Sequence, residues 1–180
     1  PGFINTHSHV PMSLFRETVD GLSTQEWLTK KIWPMEAKLT NEDVYYASML
    51  SFMEMIWSGT TTINDMYYMQ EQTVKCALEA GVRLQVTRCL MDSDGNGKRR
   101  LEELKEFIKN YNNKYDNISL NVGIHGLYTN SKQYIQEAIE LSKEHNLPID
   151  MHFLENTKEV EDIKKMYNVE SPLDILEQFF

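Results

Sequence analysis

His7 and His9 stand one residue apart in the run Pro1-Gly2-Phe3-Ile4-Asn5-Thr6-His7-Ser8-His9. Phe3-Ile4 reads as a buried strand, and side chains at i and i+2 of a strand share one face. Both imidazoles should emerge side by side at its C-terminal end, where a parallel α/β sheet or barrel keeps its chemistry. Two neutral imidazoles are half of a site for a borderline metal such as zinc; the plainer alternative is a polar strand end with two solvated histidines. Further on, Ile149-Asp150-Met151-His152-Phe153-Leu154-Glu155 puts a third histidine at a strand end, with a carboxylate three residues later. His152 supplies a third nitrogen for a catalytic zinc, which keeps one position open for water. Glu155 is the candidate to move that water's proton. Taken alone, the pair reads as well as a strand-end histidine followed by a solvated glutamate.

The elements that must carry these residues alternate strand and helix, with no linker or low-complexity segment. Strands are expected over 3–7, 60–65, 83–90, 118–124 and 148–154. Thr40, with Asp43 three residues on, is the N-cap of a helix running to about Ser58 and stopped by Gly59. Further helices are expected over 70–80, closed by Gly81, then 98–115, 131–145 and 157–167. Ser171-Pro172 reads as the cap and first-turn proline of one more. Trp27, Trp33 and Pro34 fall in a loop. Such alternation implies a parallel sheet with right-handed crossovers. His7, His9, Asp65, Arg88, His125 and His152 all fall at or just past the ends of five successive strands. A barrel gathers those ends into one mouth, whereas a doubly wound sheet spreads them along an edge. The expected fold class is therefore α/β, a (β/α)8 TIM-type barrel. A whole one needs about 250 residues, so residues 1–180 read as a single partial barrel domain with about its first five units.

Bulk properties fit a globular domain, with 41% hydrophobic and 25% charged residues among 180. A net charge of −9 and a pI near 5.0 argue against nucleic acid or an anionic membrane as partner. No apolar run approaches spanning length and no signal peptide opens the chain, so the expected location is the cytoplasm. Cys76 and Cys89 lack metal-type spacing and read as packing residues in a reducing compartment. The ten methionines read as core filler.

Together these residues resemble the amidohydrolase superfamily, and within it the 5-methylthioadenosine/S-adenosylhomocysteine deaminases and their chlorohydrolase-like relatives. The resemblance runs from Pro1 to about Tyr167. It is carried by the opening nine residues, Glu26-Trp27-Leu28, Trp33-Pro34-Met35-Glu36, Ser58-Gly59-Thr60-Thr61-Thr62 and the His152-to-Glu155 step. The opening and the last step are superfamily-level; Trp27, Glu36 and the run Arg100 to Glu103 are more specific to adenosine-type deaminases.

The resemblance implies a zinc-dependent aminohydrolase acting on an adenosine-type thioether nucleoside, with release of ammonia. His7, His9 and His152 resemble three ligands of one zinc ion. Glu155 resembles the acid/base that protonates a ring nitrogen, and His125 the strand-four histidine that meets the substrate. Glu36 resembles the acceptor of ribose hydroxyls, Arg88 and Arg100 substrate-side arginines, and Trp27 an apolar wall. Where the family has a small polar residue and a proline after its strand-four histidine, Gly126-Leu127 stand here, which should loosen that loop. The strand-eight aspartate, the strand-six histidine and the preceding β-sandwich strands have no counterpart in residues 1–180. The fragment should therefore be inactive alone and should self-associate through the edges of an open barrel. Two alternatives stay open: another heterocycle such as guanine, cytosine or a triazine, or a non-catalytic metal-binding fragment.

Overall fold

The computed structural model describes residues 1–18 and 21–179. Its strands are β1 (Phe3–Ser8), β2 (Thr60–Tyr67), β3 (Arg83–Leu90), β4 (Ile118–Ile124) and β5 (Ile149–Met151). Its α-helices are α1 (Thr24–Trp27), α2 (Trp33–Glu36), α3 (Asn41–Trp57), α4 (Gln70–Ala80), α5 (Gly97–Tyr111), α6 (Lys132–His145), α7 (Thr157–Tyr167) and α8 (Leu173–Phe179). The strands follow one another in the sheet in sequence order, and the β1–β2 and β4–β5 pairs are parallel. A doubly wound sheet reverses its order at a switch point; this one does not, which favours the barrel expectation.

Local chemistry explains most boundaries. The Thr40 hydroxyl accepts the Asp43 N–H while the Asp43 carboxylate accepts the Thr40 N–H, a reciprocal capping box at α3. The Ser131 hydroxyl caps α6 by accepting the Tyr134 N–H. Gly81 closes α4 with φ 71°, a conformation that costs a residue without Cβ little. α5 stops at Tyr111, short of the expected Tyr115, because Asn112 is extended and Asn113 turns left-handed at φ 55°. β2 continues two residues past Asp65. β5 is shorter than expected, and Leu154, placed in the strand by the sequence, has φ 58°.

The expected loop around Trp27, Trp33 and Pro34 is helical. Ser23 caps α1 by accepting the Glu26 N–H, and a π-turn over Leu28–Ile32 joins α1 to α2. There the Trp33 N–H reaches back five residues to the Leu28 carbonyl. Pro34 follows at the start of α2, where a missing N–H is tolerated. A proline disguised this segment in the sequence because the extra residue of the π-turn absorbs it.

The chain divides into two compact units, residues 1–86 with 115–119, and residues 87–114 with 120–180. The first is centred on buried Val44, Phe52, Ile63 and Val74; the second on Leu104, Phe107, Ile124, Ile135, Ile139 and Ile163. Cys76 and Cys89 are buried thiols, as packing residues should be. Met66 and Met91 are buried, but Met53 and Met166 are exposed and are not core filler. The buried-strand expectation for Phe3-Ile4 fails: these side chains are 71% and 66% exposed, because among the described residues β1 ends the strand order and pairs only with β2. Among the described residues, no helix is long and apolar enough to cross a membrane.

Candidate active site

In the first unit the His7 and His9 rings meet edge to face, with centroids 4.9 Å apart and planes at 87°. His7 lies in β1 and His9 just beyond it. The pair does not rest on regular strand geometry, since the β1–β2 register slips between Asn5 and Ser8. Position is restored by Asp65, fully buried in β2, whose Oδ1 accepts the Val10 N–H at 2.5 Å and whose Oδ2 accepts a Gln70 N–H at 3.0 Å. The Ser8 hydroxyl donates to the Asn64 carbonyl at 2.8 Å, fastening the residue between the histidines. His9 Nδ1 lies 2.6 Å from the Met66 carbonyl. An oxygen there can only accept, so Nδ1 carries the proton and Nε2 presents an electron pair.

Two other expected site residues lie in this unit. Trp27 and His9 line the same open cleft of about 460 Å³, with Met12, Phe15 and Met55. Glu36 stands beside the Tyr67 hydroxyl; burial pushes its carboxyl above the ordinary range, while the hydroxyl acts the other way. Tyr67 directly follows Met66, so neighbouring residues of β2 attend Glu36 and His9.

In the second unit His125 follows β4 and His152 follows β5, and their rings are 5.1 Å apart. The His125 carbonyl accepts twice from His152, from the backbone N–H at 3.2 Å and from Nδ1 at 2.8 Å. His152 thus has the tautomer deduced for His9. His125 is itself held by its N–H on the Leu90 carbonyl and its Nδ1 on the Thr129 hydroxyl, 3.0 Å away. The loop after it is not loosened by Gly126-Leu127. A short 3-10 turn over Leu127–Thr129 closes it, Leu127 is fully buried, and Gly126 O accepts an Asn130 side-chain N–H at 2.9 Å. The Glu155 side chain is exposed, and its N–H donates to Glu159 at 2.6 Å.

The two arginines each meet a carboxylate within the chain. Arg88 donates to Glu103 of α5 at 2.9 Å and lies over the Phe107 ring, which ties β3 to that helix. Arg100 grips Asp94 through both terminal nitrogens at 2.6 and 2.7 Å and donates to the Met91 carbonyl. Each guanidinium therefore answers a carboxylate of the chain itself. Sequence reasoning passed over Tyr67, Thr129 and Glu159. Only Glu159 left a trace, as the fourth member of an Asn156-x-x-Glu159 helix-start pattern.

The strands run in sequence order, with imidazoles at or just past the ends of β1, β4 and β5, the arrangement of an α/β barrel. The amidohydrolase family matches residues 1–179, and the chain belongs to it. It is 44% identical over 165 residues to a 5-methylthioadenosine/S-adenosylhomocysteine deaminase of Thermoanaerobacter pseudethanolicus, covering 90% of this chain and 38% of that one. It is 41% identical over 174 residues to a 5'-deoxyadenosine deaminase of Methanocaldococcus jannaschii, covering 94% and 41%. Among solved structures, an adenosine deaminase from Xanthomonas campestris with bound zinc superposes with a TM-score of 0.87 at 28% identity, over 99% of this chain and 42% of that one. A guanine deaminase from C. acetobutylicum shares the fold, with a TM-score of 0.91 at 18% identity over 99% of this chain and 46% of that one. The fold is thus of the TIM-type barrel class, and the chain spans about two fifths of the length of the curated relatives it matches.

Proposed function

We propose that the protein is a zinc-dependent aminohydrolase acting on an adenosine-type thioether nucleoside such as methylthioadenosine or S-adenosylhomocysteine. The observation that carries this reading is the shared bonding of His9 and His152. Each ring donates Nδ1–H to a backbone carbonyl, at 2.6 and 2.8 Å, and so turns Nε2 outward as a donor of electrons. Metal-ligating histidines are held this way by the groups behind them. On this reading His7, His9 and His152 are the residues that hold the metal ion. The donor set also fits, because neutral imidazoles suit zinc.

When bound, such an ion supplies a hydroxide nucleophile at neutral pH. The chain's own residues do the rest. Glu155 takes one proton of the attacking water and delivers it to a ring nitrogen as the oxygen bonds to the amine-bearing carbon; the remaining hydroxyl proton passes to the exocyclic amine, the carbon–nitrogen bond breaks, and ammonia leaves a ring carbonyl behind. His125 meets the substrate at the purine, Glu36 accepts from the ribose hydroxyls and Trp27 walls the cleft. Relatives named for 5'-modified adenosines, at 44% and 41% identity, support the substrate class. The buried thiols of Cys76 and Cys89 agree with a cytoplasmic setting, and the strand edges at β1 and β5 with self-association, which sedimentation over a concentration range checks. The deciding experiment takes the protein extended to the full length of its relatives, loads it with zinc and follows ammonia release from methylthioadenosine, S-adenosylhomocysteine and guanine. Release from the first two, lost with chelator and restored by zinc, is expected; release from guanine alone overturns the substrate class.

A further inference from the structure

We propose that Glu159 is a positioning residue that holds Glu155, an inference resting on the deaminase reading above. Glu159 is 2% exposed, at the third position of α7. Its Oε2 accepts the Glu155 N–H at 2.6 Å and its Oε1 the Leu154 N–H at 3.2 Å. A buried carboxylate is costly unless bonded to its charged form, and two backbone N–H groups do that here. Burial nonetheless pushes its carboxyl above the ordinary range.

Starting the helix does not require this arrangement. Asn156 already caps α7, its side chain accepting the Glu159 N–H at 3.0 Å. In an ordinary capping box the glutamate reaches back to the N–H of the capping residue. Glu159 reaches beyond it, to the two residues before. Between those two amides Leu154 is left-handed at φ 58°, a conformation that carries a cost for any residue with a Cβ. The carboxylate offsets that cost by bonding the amides on both sides of the twist.

The segment 152–155 is consequently pinned at both ends. His152 is bound to the His125 carbonyl through its N–H and its ring, and Leu154 and Glu155 are bound to Glu159. The exposed Glu155 side chain then swings from a fixed backbone pivot. Proton transfer depends on distances of a few tenths of an ångström, and misplacement by about 1 Å can cost about 100-fold in rate.

The test compares E159A, E159Q and E159D with wild type by amide hydrogen exchange and, in the protein extended to its relatives' full length and loaded with zinc, by steady-state kinetics on methylthioadenosine. Glu155 amide exchange should accelerate about tenfold or more in E159A and less in E159Q, which keeps one acceptor oxygen. kcat should fall about 10–100-fold, with KM and zinc content within about twofold of wild type. E159D should recover part of the loss. Unchanged exchange at residues 154 and 155 overturns the clamp; accelerated exchange with intact kcat overturns the positioning role. If wild type shows no turnover, or E155Q retains it, the deaminase reading fails instead, and exchange still decides the clamp.

Discussion

The two histidine pairs are built in opposite ways. His7 and His9 belong to an exposed strand whose register slips, and they are steadied from outside by Asp65, Ser8 and Met66. His125 and His152 follow strands paired in unbroken register, Val122 with Ile149 through Ile124 with Met151. They are steadied by each other, through a carbonyl one lends the other. The first pair is a local motif propped by a neighbouring strand. In the second, one histidine is an outer partner of the other, so the rings should not be interchangeable in function.

The sharpest break in that comparison comes from the residue only the second region supplies. Glu155→Gln should lower turnover about 10²–10⁴-fold, the usual worth of general acid/base catalysis, while zinc measured by elemental analysis stays bound. Next, His152→Ala should weaken zinc more than about 100-fold, beyond the 10–100-fold typical of outer partners, whereas His125→Ala, which leaves the carbonyl that holds His152 in place, should weaken it about twofold or less. A competition titration with a chromophoric chelator measures both, and equal losses would abolish the distinction between the two rings.

Two carboxylates, one per unit, sharpen the comparison further through pH. Asp94 is held well below the usual range, chiefly by its hydrogen bonds from Arg100. Its contribution is therefore present above the ordinary aspartate value of about 3.9 and disappears as pH falls toward the depressed one. With the Asp94 side chain 37% exposed, solvent screening keeps the expected cost of Arg100→Ala at neutral pH to about 1 kcal/mol. Denaturant unfolding below pH 4 should show a flatter acid slope in that variant. If Arg100 also reads a substrate carboxylate, S-adenosylhomocysteine should suffer more than methylthioadenosine; equal losses assign it to Asp94 alone. Glu36 has the opposite sign. Burial raises it, so its favourable contribution belongs to low pH and is lost as pH rises through its folded value. Glu36→Gln should thus gain a few tenths of a kcal/mol at neutral pH by sparing a buried charge, and KM for nucleosides should rise.

What was legible in the sequence was periodic or local. Alternating strand and helix, the Thr40–Asp43 cap, the Ser131 cap and the His-x-His pair each declare themselves within a few residues. The π-turn did not, because Pro34 reads as a helix breaker unless one knows that an extra residue precedes it. Nor did the hold of His125 on His152, which joins residues 27 apart through a backbone atom that every amino acid possesses. Arg88 and Arg100 were legible as charges, but their partners, Glu103 and Asp94, depend on which way β3 and α5 turn their faces.

The π-turn also sets the angular phase of everything after it. In an α-helix each residue advances about 100° and 1.5 Å, so Leu28–Ile32 works as an offset cog between Trp27 and Glu36. Removing one residue from the turn would let an unbroken α-helix form, with Glu36 indexed about 100° away from Tyr67. A single-codon deletion here would leave composition, charge and helix content nearly unchanged while turning the carboxylate out of mesh with its hydroxyl. In an alignment of relatives, gaps should therefore avoid these five positions.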